Sequence, residues 1–199
     1  MENLAYDYDP EEEETKYEII NGKAYGIPCY EIIGGEKIIM SPAPTATHGS
    51  LVMNIGTIFN IYLIKKNIDA RVFGDNVDVY FSAKEHYKPD VSIVRNLEII
   101  DWKGAIKGAP DLIVEVLSES TKSRDFGIKK NTYEKYGVKE YWIVAPNDMS
   151  IKVYHLIENK LEFYDEYKID ALSDKNEIKV SIFNDLIVDI RDVFRWWVH

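Results

Sequence analysis

A single cysteine, Cys29, leaves this 199-residue chain without an intramolecular disulfide and without the paired thiols of a structural zinc site. No apolar run approaches the roughly 20 residues that a membrane-spanning helix needs. The opening residues, MENLAYDYDPEEEE, contain neither the basic segment nor the apolar stretch of a secretory signal. These absences lead us to expect a cytoplasmic protein with no membrane partner. Basic charge is scarce as well: 24 Lys and Arg stand against 34 Asp and Glu, a formal net charge of −10. Seven of those acids fall in residues 1–14, which hold no base, so the remainder carries 24 bases against 27 acids. We expect residues 1–14 to be a flexible acidic tail and residues 15–199 to form one domain, long enough to bury a full core. A nearly neutral body excludes the strongly basic domain of a tight, non-specific nucleic-acid binder.

What is present is a series of short, well-punctuated elements. Residues 17–23 (YEIINGK) and 30–36 (YEIIGGE) are near copies, each placing Tyr-Glu-Ile-Ile before a turn pair. They predict consecutive strands of a meander, the second running on to Met40, before Ser41-Pro42-Ala43-Pro44 breaks the pattern. Thr45 or Thr47 can cap a helix over about 48–66, whose Leu51, Val52, Ile55, Phe59, Tyr62 and Leu63 form one apolar stripe. Strand signals follow at about 70–73, 77–81, 90–94 and 140–144. A helix over about 124–136 ends at Gly137, and it turns residues 125, 128, 129 and 132 to one side, with Ile128 and Thr132 expected against the sheet. Residues 151–190 predict a peripheral β meander, and Val193 to Val198 a short helix or turn. The whole reads as an α/β (α+β) domain with a mixed sheet.

The stretch Ala109 to Ser118, APDLIVEVLS, stands out. Its aliphatic residues do not alternate with polar ones, which predicts a strand covered on both faces. Glu115 lies in the middle of it, and a carboxylate out of water costs several kcal/mol unless it is paired, protonated or bound to a metal. Asp111 and Glu115 share a face of the strand. If residues 90–94 and 111–117 pair antiparallel about a turn centred between 102 and 103, Asp90 lies opposite Glu115. Two carboxylates then come within reach of one hard cation, and Lys129, a turn into the following helix, comes near the strand end. One Asp, one Glu and one Lys so arranged suffice for metal-assisted phosphodiester hydrolysis. The same acids could also be salt-bridged for structure alone, and His48, at the first turn of its helix, could serve packing or a cleft.

Read from Tyr30 to about 197, the segments YEIIGGEKIIMSPAP with His48, KPDVSIV, GAPDLIVEVLSEST and GVKEYWIVAP resemble the Uma-two family of the PD-(D/E)XK nuclease superfamily. The resemblance implies a restriction-endonuclease-like core and a Mg2+- or Mn2+-dependent DNA endonuclease acting as a homodimer. Asp90 and Glu115 match the metal-binding acids. The superfamily's lysine usually lies two residues after the Glu, where this chain has Leu117; Lys129 matches a lysine recruited from the following helix. Glu31 matches the acid of the family's first hairpin, a candidate for an outer-shell or second-metal role, with Glu18 ranked below it. His48 and Asp111 are accessory candidates. The alternative is a catalytically inactive member of the fold kept as a binding or assembly module.

Overall fold

The computed structural model describes residues 17–20, 23–26, 30–39, 45–74, 77–118, 122–170 and 175–195. The acidic tail expected over 1–14 and the break at 41–44 lie outside the described residues. Along the chain run β1 (Tyr17–Ile20), β2 (Lys23–Gly26), β3 (Tyr30–Ile33), β4 (Glu36–Ile39), α1 (Ala46–Lys66), β5 (Arg71–Phe73), β6 (Val79–Ser82), β7 (Glu85–Tyr87) and β8 (Val91–Val94). After them come β9 (Ile106–Lys107), β10 (Leu112–Val116), a helix in three parts, β11 (Glu140–Ala145), β12 (Ser150–Ile157), β13 (Lys160–Lys168), β14 (Glu177–Lys179), β15 (Ile187–Asp189) and the closing turn Ile190–Val193.

The organising layer is a six-stranded mixed sheet in the order β13-β12-β11-β10-β8-β5. At its centre β10 runs parallel to β11 and antiparallel to β8. All five residues of β10 are buried, as are all four of β8. Leu112, Val114 and Val116 pack into one core with Leu51, Ile55 and Phe59 of α1. Ile113, between them, packs into a second core with Val79, Tyr87, Tyr133, Tyr141 and Ile143. Burial on both faces is the reason the strand's aliphatic residues do not alternate with polar ones.

Helix α1 presents the stripe its sequence spells out. Leu51, Val52, Ile55, Phe59 and Leu63 are buried, and Asn54 beside them donates through Nδ2 to the Val193 carbonyl at 2.9 Å. Thr45 is the N-cap, its hydroxyl accepting from the His48 amide. Asn67 closes the other end in the left-handed region at φ 52°, with Lys65 and Lys66 in the last turn where positive charge suits the helix dipole.

The helix after β10 opens with one turn at Lys122–Arg124, continues as a π-helical segment Asp125–Lys129, and finishes as a regular stretch, Lys130–Tyr136. Gly137 ends it at φ 85°, donating to the Glu134 and Tyr133 carbonyls. The wider π turn alters which residues meet the sheet. Asp125, Lys129, Thr132 and Tyr133 are buried, whereas Ile128, expected inward, is 44% exposed. A regular 3.6-residue turn carries that expectation, and the π segment breaks the regularity.

Two further differences concern strand partners. The repeated Tyr-Glu-Ile-Ile segments each begin a hairpin of their own, β1–β2 and β3–β4, in separate sheets rather than one meander. The β3–β4 turn is Gly34-Gly35, both at positive φ, 61° and 87°. β5 lies at the edge of the large sheet and β6 in a five-stranded sheet in the order β4-β3-β7-β6-β9. β12 and β13 extend the central sheet itself, leaving only β14 and β15 as a separate pair.

Candidate active site

The β8–β10 register pairs Leu112 with Ile93, Ile113 with Ser92 and Val114 with Val91. Continued by one step, that register sets Asp90 against Glu115, the pairing the hairpin arithmetic predicts. Asp90 is fixed there by the backbone: its Oδ2 accepts from the Val116 amide at 2.6 Å. Its other oxygen faces α1, where His48 Nε2 lies 3.0 Å from Oδ1.

Glu115 points to the β3–β7 side of the sheet and meets the π-containing helix. Lys129 reaches it from that helix, its Nζ 3.1 Å from Glu115 Oε1. The same ammonium lies 3.0 Å from Glu31 Oε1 on β3 and 3.6 Å from Asp125 Oδ1, one turn back. Tyr133, one turn forward, donates its hydroxyl to Glu115 Oε1 at 2.5 Å. Glu31 Oε1 also accepts the Lys88 amide at 3.1 Å, and its Oε2 is 4.0 Å from Arg124 Nη1. One ammonium thus joins three carboxylates contributed by one strand of the six-stranded sheet, one strand of the five-stranded sheet and the helix. The Lys129 side chain is 3% exposed and the three carboxylates between 1% and 5%.

Burial governs the electrostatics. It pushes the Glu115 carboxyl well above its ordinary range, with Asp125, Asp90 and Glu31 adding to the rise and Lys129 opposing it. Burial also disfavours the Lys129 ammonium, but Glu115, Glu31, Asp125 and Asp90 outweigh it and hold the lysine charged above its ordinary range. The Tyr133 phenol is raised by burial and by Glu115, so it remains a donor at any physiological pH. The cluster thus sets Glu31, Glu115 and Asp125 around one buried ammonium, with Asp90 near enough to act on both Glu115 and Lys129.

Of the residues singled out from the sequence, Glu31, Glu115 and Lys129 meet directly, and Asp90 with His48 adjoins them. Asp111 does not join them. It sits at the other end of β10, where its carboxylate accepts from the Arg95 amide at 2.8 Å and from Lys139 Nζ at 2.6 Å. Leu117 is occupied with the sheet, its amide donating to the Val144 carbonyl. Two members went unassigned from sequence, Asp125 and Tyr133. Their signal is the four-residue spacing 125, 129, 133, which one buried helix face explains. A cavity of about 730 Å³ opens at the opposite end of the central strands. The cations of its wall are already paired, Lys66 with Asp185 and Arg95 with the Ile182 carbonyl within the wall, and Lys139 with Asp111.

A family model described as "Uma2: Putative restriction endonuclease" matches residues 25–190. The chain belongs to the Uma2 family. That span includes Glu31, His48, Asp90, Glu115, Asp125, Lys129 and Tyr133, so the whole cluster lies in the part of this Uma2 protein that defines its membership. Membership makes it a chain of nuclease type, with nucleic acid as the class of substrate. A solved structure from Anabaena variabilis ATCC 29413, titled a "putative nuclease belonging to DUF820", shares the fold. Its TM-score is 0.68 at 22% identity, over 86% of this chain and 92% of that one. No curated protein matches the chain. Among the described residues no helix is long and apolar enough to cross a membrane.

Proposed function

We propose that this protein is a divalent-metal-dependent endonuclease that hydrolyses phosphodiester bonds of DNA, with Asp90 and Glu115 as the metal-binding acids and Lys129 as the catalytic cation. The observation that carries this reading is the reach of Lys129 from the helix to Glu115 Oε1, 3.1 Å, in a chain whose strand position two residues beyond Glu115 is leucine. A lysine buried at a carboxylate cluster is costly, and its recruitment from a different element is what a displaced catalytic group requires.

The donor set suits magnesium or manganese. Among the described residues no three His, Cys, Asp or Glu side chains group into a ready-made metal cage. Two hard carboxylates are nevertheless the usual protein share of a magnesium site, the remaining positions falling to water and substrate phosphate. A bound cation would supply Lewis acidity at the phosphate and a more acidic water.

The chain's own residues then have distinct tasks. The Val116 amide holds Asp90 in place, and His48 orients its Oδ1. Lys129 balances the charge of Glu31, Glu115 and Asp125 and brings positive charge to the cluster, where little water screens it. Asp90 and His48 are the more open members, their side chains 11% and 17% exposed, so the substrate approaches from their side. The testing experiment incubates the protein with supercoiled, linear duplex and single-stranded DNA in magnesium, in manganese and in chelator. Cleavage that requires the ion supports the proposal. Absence of cleavage of every form under every condition overturns it in favour of a binding module.

A further inference from the structure

Glu115 receives two donors on the same oxygen, and only one of them is the lysine. Tyr133 lies one turn beyond Lys129 on the same buried face, and its hydroxyl donates to Glu115 Oε1 at 2.5 Å while Lys129 Nζ lies 3.1 Å from that atom. We propose that Tyr133 is a positioning residue for the metal-binding carboxylate: by holding Oε1 it fixes the plane of Glu115 and directs Oε2 to the cation. This rests on the reading of Glu115 as a metal ligand.

The two oxygens of a carboxylate are chemically equivalent, so a lone buried Glu is free to present either one, or to tilt. Two donors from one helix remove that freedom, and the tyrosine is the stiffer. Its ring is fully buried and walled by Tyr87 at 5.7 Å, Tyr141 at 5.1 Å and Phe81 at 5.6 Å between ring centres. A phenol so enclosed has two torsions and no room to turn, whereas a lysine has four. The neighbouring phenols have other tasks: Tyr87 bonds Thr132 and Glu85, and Tyr141 donates to the Asp125 carbonyl. A hydrogen bond that orients a metal-binding side chain commonly contributes ten- to a hundredfold to metal affinity.

Equilibrium binding of Mn2+, read from the electron paramagnetic resonance signal of the free ion, separates the outcomes. Tyr133→Phe keeps the ring and removes one hydroxyl, so melting curves should show a folded protein. We expect it to weaken Mn2+ binding ten- to a hundredfold. Tyr87→Phe, a hydroxyl lost from the same aromatic cluster, should bind Mn2+ as the native protein does. 3-Fluorotyrosine at position 133, which retains the donor, should restore affinity. Native affinity in Tyr133→Phe, or an equal loss in Tyr87→Phe, overturns the positioning role while leaving Glu115 as a ligand. Absence of Mn2+ binding by the native protein overturns the metal site itself, and the positioning role with it.

Discussion

At the scale of single residues the molecule turns on one lysine. Lys129 and Lys130 are adjacent in sequence, yet only the first enters the acid cluster; Lys130 Nζ instead lies 5.2 Å from the centre of the Tyr154 ring. Lys129→Met should therefore lower DNA cleavage by about a hundredfold or more, as loss of one charge-stabilising group commonly does. Lys130→Met should cost little. Steady-state rates on one DNA substrate check both, and equal activity of Lys129→Met and native protein would exclude the recruited lysine. A second consequence concerns pH. Because burial raises the Glu115 carboxyl above its ordinary value of 4.5, the folded protein holds that proton more tightly than the unfolded chain. Its contribution to stability is full below that ordinary value and is lost as pH rises through the elevated one. Lys129, also raised, stays charged throughout and adds no slope there. Denaturant unfolding without metal should show stability falling across that window, and Mn2+ should flatten the fall, since an ion bound to the ionised carboxylate favours the folded state.

At the scale of elements, the site depends on how two helices begin. Thr45 caps α1 through the His48 amide, and His48 in turn holds Asp90. Thr45→Ala should cost about 1 kcal/mol, measured by denaturant unfolding. The π turn at Asp125–Lys129 brings Asp125, Lys129 and Tyr133 together on the cluster. How far such elements were legible beforehand depended on whether their cause was local. The α1 stripe, the Thr45 cap and the Gly137 stop are written in residues a few positions apart, and all three stand in the structure. The β8–β10 register was readable because the loop between them is symmetric about its midpoint, although it also contains a short 3-10 turn, Leu97–Ile99, and strand β9. The π turn was not readable. Its extra residue per turn has no marker in the letters, and regular helical spacing points Ile128 inward.

At the scale of the whole molecule, the mixed α+β fold with its central sheet was legible from the order of the elements, whereas the choice of sheet for each strand was not. β12 is buried mainly in its first half and β13 is largely exposed, and nothing in their own residues says that β12 adds to β11. Glu31 and Lys129 are nearly a hundred positions apart, and their 3.0 Å contact follows only from packing the five-stranded sheet against the helix. The resemblance named Glu31; the structure gives it a partner. The central claim is that Asp90 and Glu115, from neighbouring strands, hold one divalent ion. Calorimetric titration of Mn2+ into the native protein, Asp90→Asn and Glu115→Gln tests it most directly. We predict one ion bound by the native protein and none by either folded variant, whereas unchanged affinity in both variants would contradict the account.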